Sequence, residues 1–248
     1  MNPELHPSLA AISAHLALVV LLCVLFTRAV RDAGVRAGLP RELVFQRTLL
    51  FGGALAVWLG LSYGLAFSGW LLRPEHVPPR AVFLLGPGAV LCFGLALSPF
   101  GRTLIDGLPL AWLVGFQVFR IAVELVLWLL FREGVLPEQM TFEGANLDVV
   151  SGASALFVAG LLARGMQSRW LVWVWNCGAL LLLVNIVVIA VRSMPGPWRA
   201  YAAEPANTIV LSGVFVWIPA LYVLAAFFGH VLVFRALLRR PASEAPAA

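Results

Sequence analysis

The chain has 248 residues, 61% of them hydrophobic and only 12% charged, with a mean hydropathy of +0.94, whereas a soluble globular chain carries about a quarter charged residues. Such a chain is better counted in bilayer crossings of about 20 residues than in soluble domains, and seven crossings leave about 100 residues for ends and connections, too few for a separate soluble domain. All 17 basic residues are arginine, so Schiff-base chemistry on a lysine, and with it a retinal protein, is excluded.

Apolar runs of spanning length occur at about 8–29, 48–72, 81–98, 108–131, 147–163, 170–191 and 208–234. Gly, Pro and Ser clusters separate them. The fold class expected is all-α: a polytopic bundle of seven transmembrane helices in one domain over residues 1–240, followed by a disordered Ala/Pro tail over 241–248. The segment Met1 to Ser8 carries no positive charge and arginines follow the first run, which predicts an uncleaved first helix.

Orientation follows from the arginines. With the N-terminus outside, the inner segments hold Arg28, Arg31, Arg36, Arg41, Arg47, Arg102, Arg164, Arg169, Arg235, Arg239 and Arg240, and the outer ones hold Arg73, Arg80, Arg132, Arg192 and Arg199. The excess lies inside, so the C-terminus is expected in the cytoplasm. Because these arginines are dispersed between apolar runs rather than gathered in one patch, no nucleic-acid partner is expected. Trp70 and Trp128 at outer helix ends, and Trp112, Trp170, Trp173 and Trp175 at inner ends, read as interfacial anchors. Cys23, Cys92 and Cys177 stand singly in apolar runs and read as small buried residues.

Arg120 is the one arginine left in a span. Gln117, Arg120 and Glu124 are spaced i, i+3, i+7 and form one polar stripe on the fourth helix. A charge at the bilayer centre costs about 2.5 to 3.5 kcal/mol on insertion scales, so this face must point into the bundle or a wet cavity. Arg120 and Glu124 can be an intrahelical ion pair that glues helices, or a substrate and proton site. At 1.5 Å per residue, Glu124, His15, Asn185 and Ser151 all fall roughly 5 to 8 Å outward of their helix midpoints, with Asp148 and Ser212 further out. An outward-open polar pocket follows, with Arg120 as its floor and an acidic vestibule of Glu133, Glu138, Glu143 and Asp148 above it. The same Ser and Asn side chains also serve as ordinary interhelical glue.

His15 and His230 differ in depth by roughly 18 Å, too much for one haem iron, and no His/Cys/carboxylate grouping has zinc spacing, so no cofactor or metal is expected. A Ser–His–carboxylate hydrolase would draw on His15, Asp148 and Ser151, at compatible depth but without diagnostic spacing.

The stretch Phe119 to Gly152, FRIAVELVLWLLFREGVLPEQMTFEGANLDVVSG, together with EPANTIV at Glu204 to Val210, resembles a group of uncharacterised bacterial multi-pass membrane proteins. There a helix with arginine and glutamate precedes a loop ending in a Thr-Phe-Glu-Gly-x-Asn-x-Asp run, here Thr141, Phe142, Glu143, Gly144, Asn146 and Asp148. The resemblance implies an architecture, not an activity, and a structured loop. By residue chemistry, Asn146 or Asp148 is suited to cap the fifth helix.

The leading expectation is a bacterial plasma-membrane protein, multi-pass, that binds or transports a small solute or protons at Arg120 and Glu124. Arg120 would hold an anionic group and Glu124 would exchange a proton. A lipid-modifying enzyme and a non-catalytic subunit or scaffold are the alternatives. The lipid bilayer is the expected partner, with contact to a second copy or another membrane subunit left open.

Overall fold

The computed structural model describes residues 6–73 and 79–239. The expected tail over 241–248, Arg240 and His76 lie outside these residues. Within them the chain is helical: α1 (Leu9–Arg36), α2 (Arg41–Phe67), α3 (Ala81–Leu97), α4 (Pro99–Gly107), α5 (Leu110–Gly115), α6 (Phe119–Arg132), α7 (Asp148–Ala163), α8 (Arg169–Arg192) and α9 (Leu224–Leu238). Helix starts carry the expected signals. Ser8, Ser98 and Ser168 each accept a backbone N–H of the following turn, and Pro99 occupies the first turn of α4, where its missing N–H removes no bond.

Five helices have the length and apolarity to cross a bilayer: Leu9–Arg36, Arg41–Phe67, Leu110–Arg132, Arg169–Arg192 and Gly213–Leu238. The pair Ala81–Leu97 and Pro99–Gly107, bent by 63°, makes a sixth if counted as one span. Helix α7 has 16 residues, about 24 Å at 1.5 Å per residue against a hydrocarbon core of about 30 Å. The second helix begins at Arg41, earlier than the apolar run suggested, because Pro40 fixes its start in extended backbone.

Two expected continuous helices are interrupted. The fourth passes through a 3-10 turn at Phe116–Val118 between α5 and α6. The last begins irregularly, with 3-10 turns at Ile209–Leu211 and Gly213–Val216 and a π-helical turn at Ile218–Val223 leading into α9. Pro219 has no N–H for the α-helical ladder, which accounts for the break at that point.

Helix α9 runs through the middle. In the most apolar window of Gly213–Leu238, the segment that ends in α9, 78% of residues are buried, against 11% for α2, so this segment is the core of the bundle and α2 its outer rib. The α3–α4 bend packs so closely that a Cβ on Gly101 would meet the Ala96 carbonyl oxygen at 2.1 Å, and one on Gly107 would meet that of Ala33 at 2.2 Å. Arg235 Nη1 donates to the exposed carbonyls of the bend, Ala96 at 2.5 Å and Ser98 at 2.7 Å. Around the same end, Arg47 donates to Thr103 at 3.1 Å, Asp106 pairs with Arg239 and, at 3.7 Å, with Arg102, and Arg169 reaches the Leu237 and Arg239 carbonyls. Five of the arginines assigned to the inner face thus share one end. Glu133 anchors the other end by accepting from the Ser8 N–H at 2.9 Å and its hydroxyl at 2.5 Å.

Some side-chain expectations change. Cys23 and Cys92 are half-buried and Cys177 is exposed, so burial is not what they share; all three lie on helix faces turned partly outward. Trp175 is a core residue rather than an anchor, buried and donating to Ser154 Oγ at 3.1 Å.

Candidate functional site

The polar stripe of α6 faces inward, and what meets it there is α7. A Cβ on Gly152 would lie 2.7 Å from Ile121 Cγ1 and 2.9 Å from the Ile121 nitrogen, so only glycine lets the two helices approach this closely. One turn earlier on α7, the approach delivers Asp148 to Arg120. The two form a forked ion pair, with Nε donating to Oδ2 at 2.7 Å and Nη2 to Oδ1. Arg120 Nη2 also donates to the Ala179 carbonyl of α8 at 3.1 Å, and Nη1 stands 3.0 Å from His230 Nε2 of α9. Since a guanidinium can only donate, His230 Nε2 is the acceptor, which fixes a neutral ring protonated on Nδ1. That Nδ1–H donates to Asn176 Oδ1 at 2.7 Å, while Asn176 Nδ2 donates to the His230 carbonyl at 3.1 Å.

This corrects the expected Arg120–Glu124 pair. Arg120, 1% exposed, is neutralised by Asp148 and its donors are engaged on three helices, so it is not placed to hold an anionic solute. Asp148, expected further out as part of the vestibule or as a cap, is buried within this network.

Glu124 belongs to a different set of contacts. The segment between α6 and α7 is the structured loop anticipated from its motif: a 3-10 turn at Glu138–Met140, the Thr141 hydroxyl on the Glu138 carbonyl, and the Asn146 N–H on the Thr141 carbonyl. It presents Asn146, whose Nδ2 donates to Glu124 Oε1 at 2.7 Å and to the Met140 carbonyl at 3.0 Å, while its Oδ1 accepts from the Asp148 N–H at 3.0 Å. Asn146 therefore closes the start of α7 and holds one oxygen of Glu124 with the same amide. The other, Oε2, is buried and has no hydrogen-bond partner among the described residues.

Glu124, Arg120 and Asp148 are among the residues around a cavity of about 60 Å³ whose accessible wall is almost wholly apolar, with Phe119, Leu183, Val187 and Tyr222 contributing to it. Met194 and Leu211 line this cavity and also a smaller cleft bearing Arg73 and Arg80. Of the carboxylates expected in the acidic vestibule, Glu133 holds Ser8, Glu143 accepts from Trp128 Nε1 at 2.7 Å, and Asp148 is paired with Arg120.

The remaining candidates lie elsewhere. Gln117 is fully buried, donates to the Ala226 carbonyl at 3.0 Å and fits because Gly229 has no side chain: a Cβ there would sit 2.6 Å from Gln117 Nε2. Ser151 is buried, its hydroxyl unpartnered among the described residues. Asn185 is half-buried and steadies the loop by donating to the Ala145 carbonyl at 3.2 Å. His15 is enclosed by Phe215, Trp217 and Tyr222. Its Nε2 bonds the Val214 carbonyl at 2.9 Å, and its Nδ1 lies 3.0 Å from the Tyr222 hydroxyl. With both ring nitrogens committed there and Asp148 committed to Arg120, these residues do not make a hydrolase triad with Ser151.

Three members of the network escaped sequence reading. The depth of His230 sets it apart from His15 only, the sequence reading assigns Asn176 no role, and it gives Asn146 only that of a cap. A signal for His230 and Asn176 was present in their being polar inside apolar runs, the same criterion that singled out Arg120.

The fold and site together define a class: an all-helical protein with several helices of membrane-spanning length, a buried ion-pair network at its centre and an unpartnered carboxylate oxygen beside a cavity. A family model described as a domain of unknown function (DUF8737) matches residues 77–238, and the chain belongs to that family. The matched stretch contains every candidate site residue except His15. No curated protein and no solved structure matches the chain.

Proposed function

We propose that the protein is a multi-pass protein of a bacterial plasma membrane and that its bundle binds or transports a small solute or protons, with Glu124 as the exchanging group. The observation that carries this reading is Glu124 Oε2, a buried carboxylate oxygen without a hydrogen-bond partner among the described residues, on a side chain that packs beside a cavity. Burying a polar group without a hydrogen bond costs about 1–3 kcal/mol by protein mutational measures, and more for a charge. Arg120 and Asp148 cancel, so Glu124 is the uncompensated group and must take either a proton or a cationic partner. Seven crossings follow if the bent α3–α4 pair and α7 each cross, and the arginines gathered at one end favour that end as the cytoplasmic one.

A purely structural network is the competing reading, and the saturated Arg120 fits it. It leaves Glu124 Oε2 without a purpose, since a glutamine there would serve Asn146 equally well through its carbonyl oxygen. Proton binding by the purified protein in detergent, compared between the wild type and Glu124→Gln, separates the two. The proposal expects a carboxylic-acid C=O band in the infrared that titrates with pH in the wild type and is lost in Glu124→Gln while thermal stability is kept. No such band, or a Glu124→Gln variant that does not fold, supports the structural reading instead.

A further inference from the structure

Leu16, Val20, Val24 and Arg28 of α1 repeat every four residues, and so do Val19, Cys23 and Thr27 beside them; on a helix such rows form parallel ridges. Together with Leu59 of α2 and Trp217 they line a groove of about 620 Å³ whose accessible wall is almost wholly apolar. Val19 is buried there, while Val20 and Val24 are 62% and 42% exposed, so the groove opens sideways from the bundle. Thr27 adds no free donor, because its hydroxyl bonds the Cys23 carbonyl at 2.7 Å. Trp217 closes the end near Leu16: its ring stands 6.3 Å from that of His15, and its Nε1 donates to the Leu59 carbonyl at 3.0 Å. Arg28 stands at the other end, exposed, and no hydrogen bond or ion pair engages its guanidinium among the described residues.

Depth identifies the occupant; from the proposed function this takes only that α1 crosses a bilayer, and it is independent of Glu124. From Leu9, where α1 starts, to Arg28 is about 28 Å at 1.5 Å per residue. A hydrocarbon core is about 30 Å thick, so Arg28 reaches the level of the headgroups. From Leu16 to Arg28 the groove runs about 18 Å, against about 15 Å for the one leaflet that makes half of that core. A free anion would use Arg28 and leave the apolar wall bare. A lipid of the Arg28-side leaflet uses both, its acyl chain on the wall and its phosphate on the guanidinium. Arg31 and Asp32 lie next on α1, both exposed, and Asp32 makes no ion pair with Arg28 among the described residues. A zwitterionic headgroup brings its own cation to the phosphate, whereas an anionic one leaves its charge for the basic residues at the membrane surface. We propose that the α1 groove holds an acyl chain of an anionic phospholipid, of which phosphatidylglycerol is the representative, with Arg28 on its phosphate.

The test is native mass spectrometry of the full chain, purified in detergent and equilibrated with dioleoylphosphatidylglycerol or dioleoylphosphatidylcholine, with melting temperatures of each variant measured alongside. Phosphatidylglycerol is expected to be retained at least fivefold better than phosphatidylcholine. Arg28→Gln should abolish that preference, whereas Arg164→Gln, at an exposed arginine that ends α7, should keep it. Val20→Trp, which crowds the groove from an exposed position, should lower phosphatidylglycerol retention at least fivefold while the melting temperature without lipid is kept. Glycerol 3-phosphate, which has the phosphate and no chain, should not displace the lipid. A preference that survives in Arg28→Gln, retention unchanged in Val20→Trp, displacement by glycerol 3-phosphate, or a dimer of the chain in place of lipid adducts would overturn the inference. Equal retention of the two lipids leaves the membrane reading intact and sinks only this inference; recovery of the chain as a soluble protein without detergent sinks both.

Discussion

Removing one partner of the Arg120–Asp148 pair leaves the other charged and buried, a change that typically costs about 3–5 kcal/mol. Asp148→Asn and Arg120→Met are therefore expected to lower the melting temperature in detergent sharply, whereas the double variant Arg120→Met/Asp148→Leu, which removes both charges, should recover most of the loss. Additive losses would show that the two do not act as a pair. Asn146→Ala strips one oxygen of Glu124, the Met140 carbonyl and the Asp148 N–H of their partner at once, at about 1–3 kcal/mol for each buried group left unsatisfied. Its stability should fall further than that of Asn185→Ala, which breaks one bond at a half-buried position. At this scale the sequence exposed the polar residues but not their pairing. Spacing along α6 made Glu124 the natural mate of Arg120, because i and i+4 share a face. The actual mate, Asp148, comes from another helix, and no periodicity within one element reports an approach made between two.

Among the elements, α6 and α7 illustrate what was legible and what was not. The small residues of α7 suit close helix packing, and Gly152 provides it. That this packing delivers Asp148 follows only from the register between the helices. Gly152→Ala should push α7 outward and destabilise by about 1–3 kcal/mol, the usual effect of overpacking. Gly160→Ala, where a Cβ would have only Arg164 Nη1 at 3.5 Å, should be nearly silent; equal effects would refute the register. The apolar run of the final helix is continuous, so hydropathy does not report the 3-10 and π-helical turns that precede α9; Pro219 lies in the π-helical turn. In the connection before it, the hydrogen bond and charge of Arg199 hold the Glu204 carboxyl below the usual carboxylate range. A lowered value means that the ordering from this contact is present at neutral pH and is lost as pH falls from the ordinary 4.5 through the lowered value. The amide of Ala206, which donates to Glu204 Oε2 at 2.8 Å, reports it. Its NMR shift should titrate below the ordinary glutamate range and return to it in Arg199→Gln.

For the whole molecule, composition carried the reading furthest: hydropathy foretold a helical protein with several spanning-length helices, and the arginine map foretold that Arg47, Arg102, Arg169, Arg235 and Arg239 would gather at one end. Span count was less legible: seven apolar runs were expected to cross, whereas among the described residues five helices have the length and apolarity to do so and the pair bent by 63° makes a sixth if counted as one span. An odd number of crossings puts the termini on opposite faces. Tags at the two ends, probed by protease in sealed right-side-out vesicles, are expected to show the N-terminal tag cleaved and the C-terminal one protected; both on one side would mean six crossings.

The claim on which the functional account depends is that Glu124 exchanges a proton while Asp148 stays paired with Arg120. Infrared difference spectroscopy of the carboxylic-acid C=O band during a pH titration of the purified protein reads this directly. The account predicts a band from a protonated buried carboxyl that changes with pH, disappears in Glu124→Gln and persists in Asp148→Glu. A band unchanged in Glu124→Gln, or no titrating buried carboxyl at all, would contradict it.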